Sequence, residues 1–281
     1  MERSRDQQQV DPSPASPNPA GAPTPTDSTA AVATGRYTYP GHGSLNPHWV
    51  ATPTRVIVIA TQRDTMHAAE ALDAVKAIGK PVEAIFVTHG HPDHYTGLEQ
   101  FKAEWPDARI YASEETIRVI REDHDGYHEV VRQLAPEASP DGFVVPDQVV
   151  EDGDRLIIGG VEILVRELGP SEATSATVLY LPATGDVYFG DLVLSAMLGF
   201  FLEERSSEIL RALQTLRILF PNARTGHPGH GDPGDAATLI DAQEEYTVTA
   251  LRFAAQLLER DLSEKEGIER LEAALSATFP S

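Results

Sequence analysis

Cysteine is absent from the 281 residues. Disulfides, thiolate metal sites and cysteine nucleophiles are therefore excluded, while the redox compartment stays open. Positive charge is scarce: 22 Lys and Arg stand against 43 Asp and Glu, a formal net charge of −21. A binder of phosphate backbones needs a basic face, and so does a protein docked on an anionic bilayer. Nucleic acid and membrane are accordingly set aside as partners, and the excess acid reads as a solvated surface. No apolar run approaches the roughly 18 residues of a membrane span. The charged N-terminus is followed by no apolar stretch of the kind a signal peptide carries. A cytoplasmic location is slightly favoured, with an exported mature form as the alternative.

The hydrophobic fraction, 41%, is ordinary for a globular chain. Residues 1–36 are rich in Pro, Ser, Ala, Thr and Gln, with proline at nearly every second or third position between Asp11 and Thr26. Such a segment buries too little apolar surface to offset its ordering entropy, so it is expected to be a disordered tail. Residues 37–281 are expected to form one domain with C-terminal helices, long enough to bury a core.

Within that body, residues 55–60 (RVIVIA) and 84–88 (AIFVT) read as buried strands, and 109–112 as another. Between the first two, Asp64 and Thr65 offer N-cap chemistry to a helix over 66–78, which Gly79 and Pro81 stop. A helix is also expected over 113–122. RLII at 155–158 and VEILV at 161–165 flank Gly159-Gly160, which is hairpin punctuation. Strands follow at 177–181 and 187–189. Ile209, Leu213, Leu216 and Phe220 fall on one face of a helix over 206–220. Residues 235–259 and 263–278 are helical by the same test. This alternation implies layers of helix and sheet rather than a bundle or a sandwich of sheets alone.

Chemistry concentrates at residues 88–94, THGHPDH. The run begins where a buried strand ends, so a rigid element anchors it. Gly90 lets His89 and His91 turn toward one ion. Pro92 suits the first turn of a helix, which would aim Asp93 and His94 at a neighbouring position. Imidazole and carboxylate are ligands for zinc, iron or manganese. Further ligands are available where other elements end: Glu172 after Gly169-Pro170-Ser171, Asp191 after Gly190, and His230 between Gly229 and Gly231.

In the order THGHPDH, Gly190-Asp191 and Gly229–His230–Gly231, the chain resembles the metallo-β-lactamase superfamily from about Tyr37 onward. The resemblance implies an α/β (α+β) fold, a four-layer αββα sandwich with metals at one edge of two packed sheets. It implies that His89 and His91 hold a first metal, that Asp93, His94 and His230 hold a second, and that Asp191 bridges them. Two positions depart from the family pattern. Glu172 stands where a third histidine is common; alkylsulfatase-like relatives use glutamate around their metals, so Glu172 is carried over as a ligand. Ala60 stands where a supporting aspartate is usual, and losses of that kind weaken metal affinity roughly 10–100-fold.

The expected activity is that of a metal-dependent hydrolase with a metal-bound hydroxide at a binuclear site, and with Asp93 orienting the nucleophile and moving a proton. Its substrate would be a small-molecule ester, lactone, amide or thioester. The cofactors would be two divalent ions: zinc, or manganese or iron, which the extra carboxylate of Glu172 favours. The alternatives are a mononuclear iron oxygenase of the persulfide dioxygenase kind, which shares HxHxDH, and a metal-poor binding protein of the same fold. A flavodiiron-type reductase fits less well, because those enzymes carry glutamate at the position of His91. A serine triad through Ser171 lacks a nucleophile elbow. A homodimer is one open arrangement. Residues 194–202 (LSAMLGFFL) read either as core or as an apolar wall presenting Phe200 and Phe201, and residues 37–49 as a second rim. His42, His48, His67, His124, His128 and His227 read as surface or packing histidines.

Overall fold

The computed structural model describes residues 32–39, 44–195, 203, 205–260 and 262–279. In its first half β1 (Ala33–Arg36), β2 (His48–Ala51), β3 (Val56–Ile59), α1 (Thr65–Lys76), β4 (Val82–Phe86), α2 (Pro92–Tyr95) and α3 (Leu98–Glu104) lead to β5 (Arg109–Ala112), α4 (Glu114–Glu122), α5 (Tyr127–Leu134) and β6 (Gln148–Val149). In the second half β7 (Arg155–Ile158), β8 (Val161–Glu167), β9 (Thr177–Leu181), β10 (Asp186–Gly190) and α6 (Ser206–Leu219) precede β11 (Thr225–Pro228), β12 (Gly234–Asp235), α7 (Ala236–Leu258) and α8 (Glu264–Thr278).

Each half supplies one mixed sheet. The first has the order β1-β2-β3-β4-β5-β6 and the second β12-β11-β10-β9-β8-β7. The VIVI run of β3 is buried along its whole length, which suits a strand covered on both faces. Ile57, Ile59, Ala84 and Phe86 meet Ile163, Val165, Leu179, Leu181 and Tyr188 in a central layer between the sheets. Outside the first sheet, Val56, Val58, Ile85 and Val87 pack with Val75 of α1, Leu98 and Phe101 of α3 and Ile117 and Ile120 of α4. Outside the second, Val178, Val187 and Phe189 pack with Ile209, Leu213 and Leu216 of α6 and Ile240 of α7. The layers are thus helix, sheet, sheet, helix. The Gly159-Gly160 hairpin has φ of 56° and 82°, the positive values that a two-residue turn of the strand-matching hand requires.

Caps set the helix limits. Asp64 accepts from His67 N at the start of α1, so the helix expected over 66–78 begins at Thr65 and ends at Lys76. Ser113, Asp235 and Ser263 cap α4, α7 and α8 in the same way. The boundary expected near residue 36 is corrected: Ala33–Arg36 is a strand paired antiparallel with β2. Its ATGR sequence has no apolar alternation, and its place comes from the partner edge. The rest of the expected tail, residues 1–31, lies outside the described residues, as do 40–43 and 196–202 with His42, Phe200 and Phe201.

Candidate metal centre

β4 sits inside the first sheet, and its continuation, Val87 to His91, delivers two imidazoles at the sheet edge. Pro92 occupies the first turn of α2, with His91 as its N-cap. That turn places Asp93 and His94 on the next approach to the same point. The chain before it is clamped: Thr61 donates from both N and Oγ1 to His94 O, at 3.0 and 3.3 Å. Thr61 is held for this between Ala60 and Gln62, whose φ values of 65° and 92° are left-handed. Such backbone costs an L-residue about 1–2 kcal/mol and persists where surroundings over-determine it. Ala60 thus shapes the turn but brings no carboxylate.

The other ligands come from the second sheet. Asp191 follows β10 directly. His230 follows β11, in a loop fastened by Asn46, which donates from its backbone to Gly229 O at 2.7 Å and from Nδ2 to Gly231 O at 2.6 Å. A Cβ on Gly229 would stand 2.0 Å from Asp191 Oδ1, so only glycine fits beside the carboxylate. Glu172 lies in the loop between β8 and β9. Glu167 organises that loop by accepting from Gly169 N, Ser175 Oγ, Ala176 N and Thr177 Oγ1.

These seven side chains converge in two adjacent groups, His89, His91 and Glu172 in one and Asp93, His94, Asp191 and His230 in the other. Within each, the ligand atoms lie within 4.8 Å of one another. His91 Nδ1 is 3.2 Å from Glu172 Oε1, and His89 Nε2 is 3.7 Å from Glu172 Oε2. His94 Nε2 and His230 Nε2 are each 3.2 Å from a different oxygen of Asp191. His230 Nε2 is 3.1 Å from Asp93 Oδ2. All but Asp93 are buried, and Asp93 keeps 27% side-chain exposure toward the cleft.

The chemistry of this set fits divalent cations. His89 Nε2, His94 Nε2, Glu172 Oε1 and Asp191 Oδ1 are buried and, although some approach one another at 3.2 Å, none makes a well-aligned hydrogen bond among the described residues. Orphaned buried donors and acceptors are costly, and divalent ions would satisfy all of them at once. Three carboxylates packed together also demand positive charge. Without ions, protons supply it. Burial penalises charge on His230, but Asp191 and Asp93 outweigh that and lift its pKa to about 11. Burial likewise opposes charge on His91, yet Glu172 and Glu203 hold it well above the usual histidine range. Burial, with His94 and His91 beside it, drives His89 well below. Burial pushes Asp93 and Asp191 up, and the neighbouring histidines more than reverse this, so both stay ionised. Burial raises Glu172. Cations held by these residues would take the place of the protons on the histidines.

The structure adds two residues that the sequence did not mark. Glu203 Oε1 is 3.4 Å from His91 Nε2, the ring nitrogen turned away from Glu172, while Glu203 Oε2 accepts from Arg205 Nε at 2.9 Å. Tyr127, the first residue of α5, sets its ring 5.6 Å from that of His91 and lines the cleft with Asp93, Glu172 and Asp191. Neither has a local pattern that marks it, since each acts across a long stretch of chain. Ser171 Oγ is buried with no hydrogen-bond partner among the described residues, so it forms no serine–histidine pair. Leu192, Val193 and Leu194 are core residues. Within the stretch 37–49, Ser44 braces the His230 loop: its O lies 3.2 Å from His230 Nδ1. His227 pairs with Asp186 at 2.7 Å and stacks on Tyr188.

The model of the metallo-beta-lactamase superfamily matches residues 40–261, and the chain belongs to that superfamily. Solved structures agree in fold. A metallo-beta-lactamase family protein from Thermus thermophilus is 22% identical, covers 85% of this chain and 87% of its own, and superposes with a TM-score of 0.66. A metallo-beta-lactamase from Pontibacter korlensis is 23% identical, covering 77% of this chain and 94% of its own, with a TM-score of 0.58.

Proposed function

We propose that the protein is a hydrolase that works with two divalent ions to cleave an ester, lactone, amide or thioester bond in a small molecule. His89, His91 and Glu172 would hold one ion, and Asp93, His94 and His230 the other, with Asp191 between them. The observation that carries this reading is the pair of adjacent buried ligand clusters. Bound ions supply Lewis acidity and a water ionised near neutral pH. The chain's own groups do the rest. Asp93 is the most exposed of the ligands, and as a carboxylate it orients the attacking water and carries a proton toward the leaving group. Burial first, then the nearby carboxylates of Glu203, Asp125 and Glu172, push Tyr127 up to about 12. Its phenol therefore stays protonated, a hydrogen-bond donor for a substrate oxygen that gains charge.

The test is elemental analysis of protein purified without chelators or a His-tag, beside an Asp93→Ala/His94→Ala variant, with an ester and lactone panel. Near two equivalents of zinc or manganese, falling in the variant and accompanied by turnover, is the expected result. Protein that holds no metal under gentle purification overturns it.

A second reading rests on one feature. Two histidines and a carboxylate, as in the cluster of His89, His91 and Glu172, are the ligand set of mononuclear non-haem iron oxygenases. One equivalent of iron together with dioxygen consumption would favour that chemistry over hydrolysis.

A further inference from the structure

Helix α5 carries an apolar stripe that begins at the metal centre. Tyr127, Val130, Val131 and Leu134 sit at i, i+3, i+4 and i+7, hence on one face. At about 1.5 Å per residue the stripe runs roughly 10 Å outward from Tyr127. Two cavities follow it. The inner one, about 210 Å³, is walled by His91, Asp93, Glu172 and Asp191 on one side and by Tyr127 and Val130 on the other. The outer one, about 400 Å³, shares Pro92, Asp93 and Val130 with it and continues along Val131 and Leu134. Its polar margin is Arg63 and Asp64, which face each other at 3.5 Å. Leu134 is 82% exposed and Val130 43%, apolar surface left uncovered beside the cleft that the ligands line. The outer volume is in the range of small-molecule sites.

Resting on the hydrolase reading, we propose that this groove binds the unbranched aliphatic arm of an acyl ester or thioester, with the reacting carbonyl beside Asp93 and the arm along α5 to Leu134. The occupant follows from the surfaces. A carbonyl placed at Asp93 has its substituents directed either to the ligand clusters or into the apolar cavity that Asp93 also lines. A net charge of −21 disfavours an anionic arm. Hydrolysis adds one water across the acyl bond: its oxygen goes to the acyl carbon, the carbon–oxygen or carbon–sulfur bond breaks, and the alcohol or thiol leaves with a proton. At about 1.2 Å of advance per extended backbone bond, a groove of roughly 10 Å takes an arm of about eight carbons.

The experiment uses the metal-loaded protein and two series of probes. One is p-nitrophenyl esters with acyl chains of two to twelve carbons, followed as kcat/KM. The other is straight-chain carboxylates of four to twelve carbons, followed by titration calorimetry. Each methylene is expected to improve both measures about fourfold, levelling off near eight carbons. In Val130→Ser and Leu134→Ser the gain per methylene should fall below about twofold; both positions are partly exposed, so folding is expected to survive, and circular dichroism checks it. Carboxylates that bind with this increment while no ester turns over would leave the groove assigned and remove the hydrolase reading. Carboxylate binding that ignores chain length overturns the inference, whether or not esters are cleaved.

Discussion

The roles proposed for Tyr127 and Glu203 rest on single atoms. Replacing Tyr127 with Phe removes a neutral donor from the cleft wall, worth about 1 kcal/mol or somewhat more. The expected outcome is a loss of roughly five- to tenfold in kcat, with metal content unchanged, checked by steady-state kinetics beside elemental analysis. Glu203 faces the outer nitrogen of His91, where a carboxylate fixes the tautomer that presents Nδ1 to the centre. Glu203→Ala is expected to weaken metal binding about 10–100-fold, measured by chelator competition, and Glu203→Asp should recover part of it. Neither residue was legible in the sequence, because nothing local sets them apart from other Tyr and Glu. His89, His91, Asp93 and His94 were legible for the opposite reason: one strand end and one helical turn bring them together, so their proximity is written in the chain itself. Glu172, Asp191 and His230 were found through their order after that motif, and each is delivered by a loop that a sheet strand begins or ends.

Among the elements, long apolar runs are legible in the sequence and short polar ones are not. Strand β9 and the hairpin of β7 and β8 have β-branched runs and glycine punctuation that announce them. Strand β11 reads TGHP, with a helix-breaking glycine and proline and no alternation. It exists because β10 offers it a parallel edge. Helix α5 is hard to read from sequence although its spacing is helical, since it lies among turns at residues 123–126 and 135–139. The loop after β11 shows how tightly such an element is specified. Gly229→Ala would drive a methyl into the Asp191 carboxylate, 2.0 Å away. The expected result is loss of one metal equivalent, or at least an affinity drop of about 10–100-fold, with the other cluster still loaded. Elemental analysis distinguishes this from a general loss of binding.

At the scale of the molecule, the alternation of runs along the chain implies layers of helix and sheet, the order helix, sheet, sheet and helix comes from the family resemblance, and the mutual seating of the sheets is legible in neither. His48 is part of that seating: it lies on β2 of the first sheet and its Nε2 reaches Pro228 O, on β11 of the second, at 2.9 Å. Burial drives its pKa from 6.5 to about 3. The unfolded chain therefore takes up a proton below pH 6.5 that the folded one refuses until about pH 3. Stability from this group is complete above 6.5 and lost progressively between 6.5 and 3. The unfolding free energy from urea titrations should fall across that window, by up to about 1.4 kcal/mol per pH unit from His48 alone, and His48→Gln should flatten the slope. The ligands span the same seam, for His89, His91, Asp93 and His94 leave the first sheet and Asp191 and His230 leave the second. In a chain without a single cysteine, ions at that seam would be its only cross-links. A chelator would then act on this protein as a reductant acts on a secreted one. At ion concentrations about a hundredfold above Kd, the bound state gains about 2.7 kcal/mol per ion, so stripping one ion should lower Tm by roughly 5–10 °C, read by calorimetry with and without chelator.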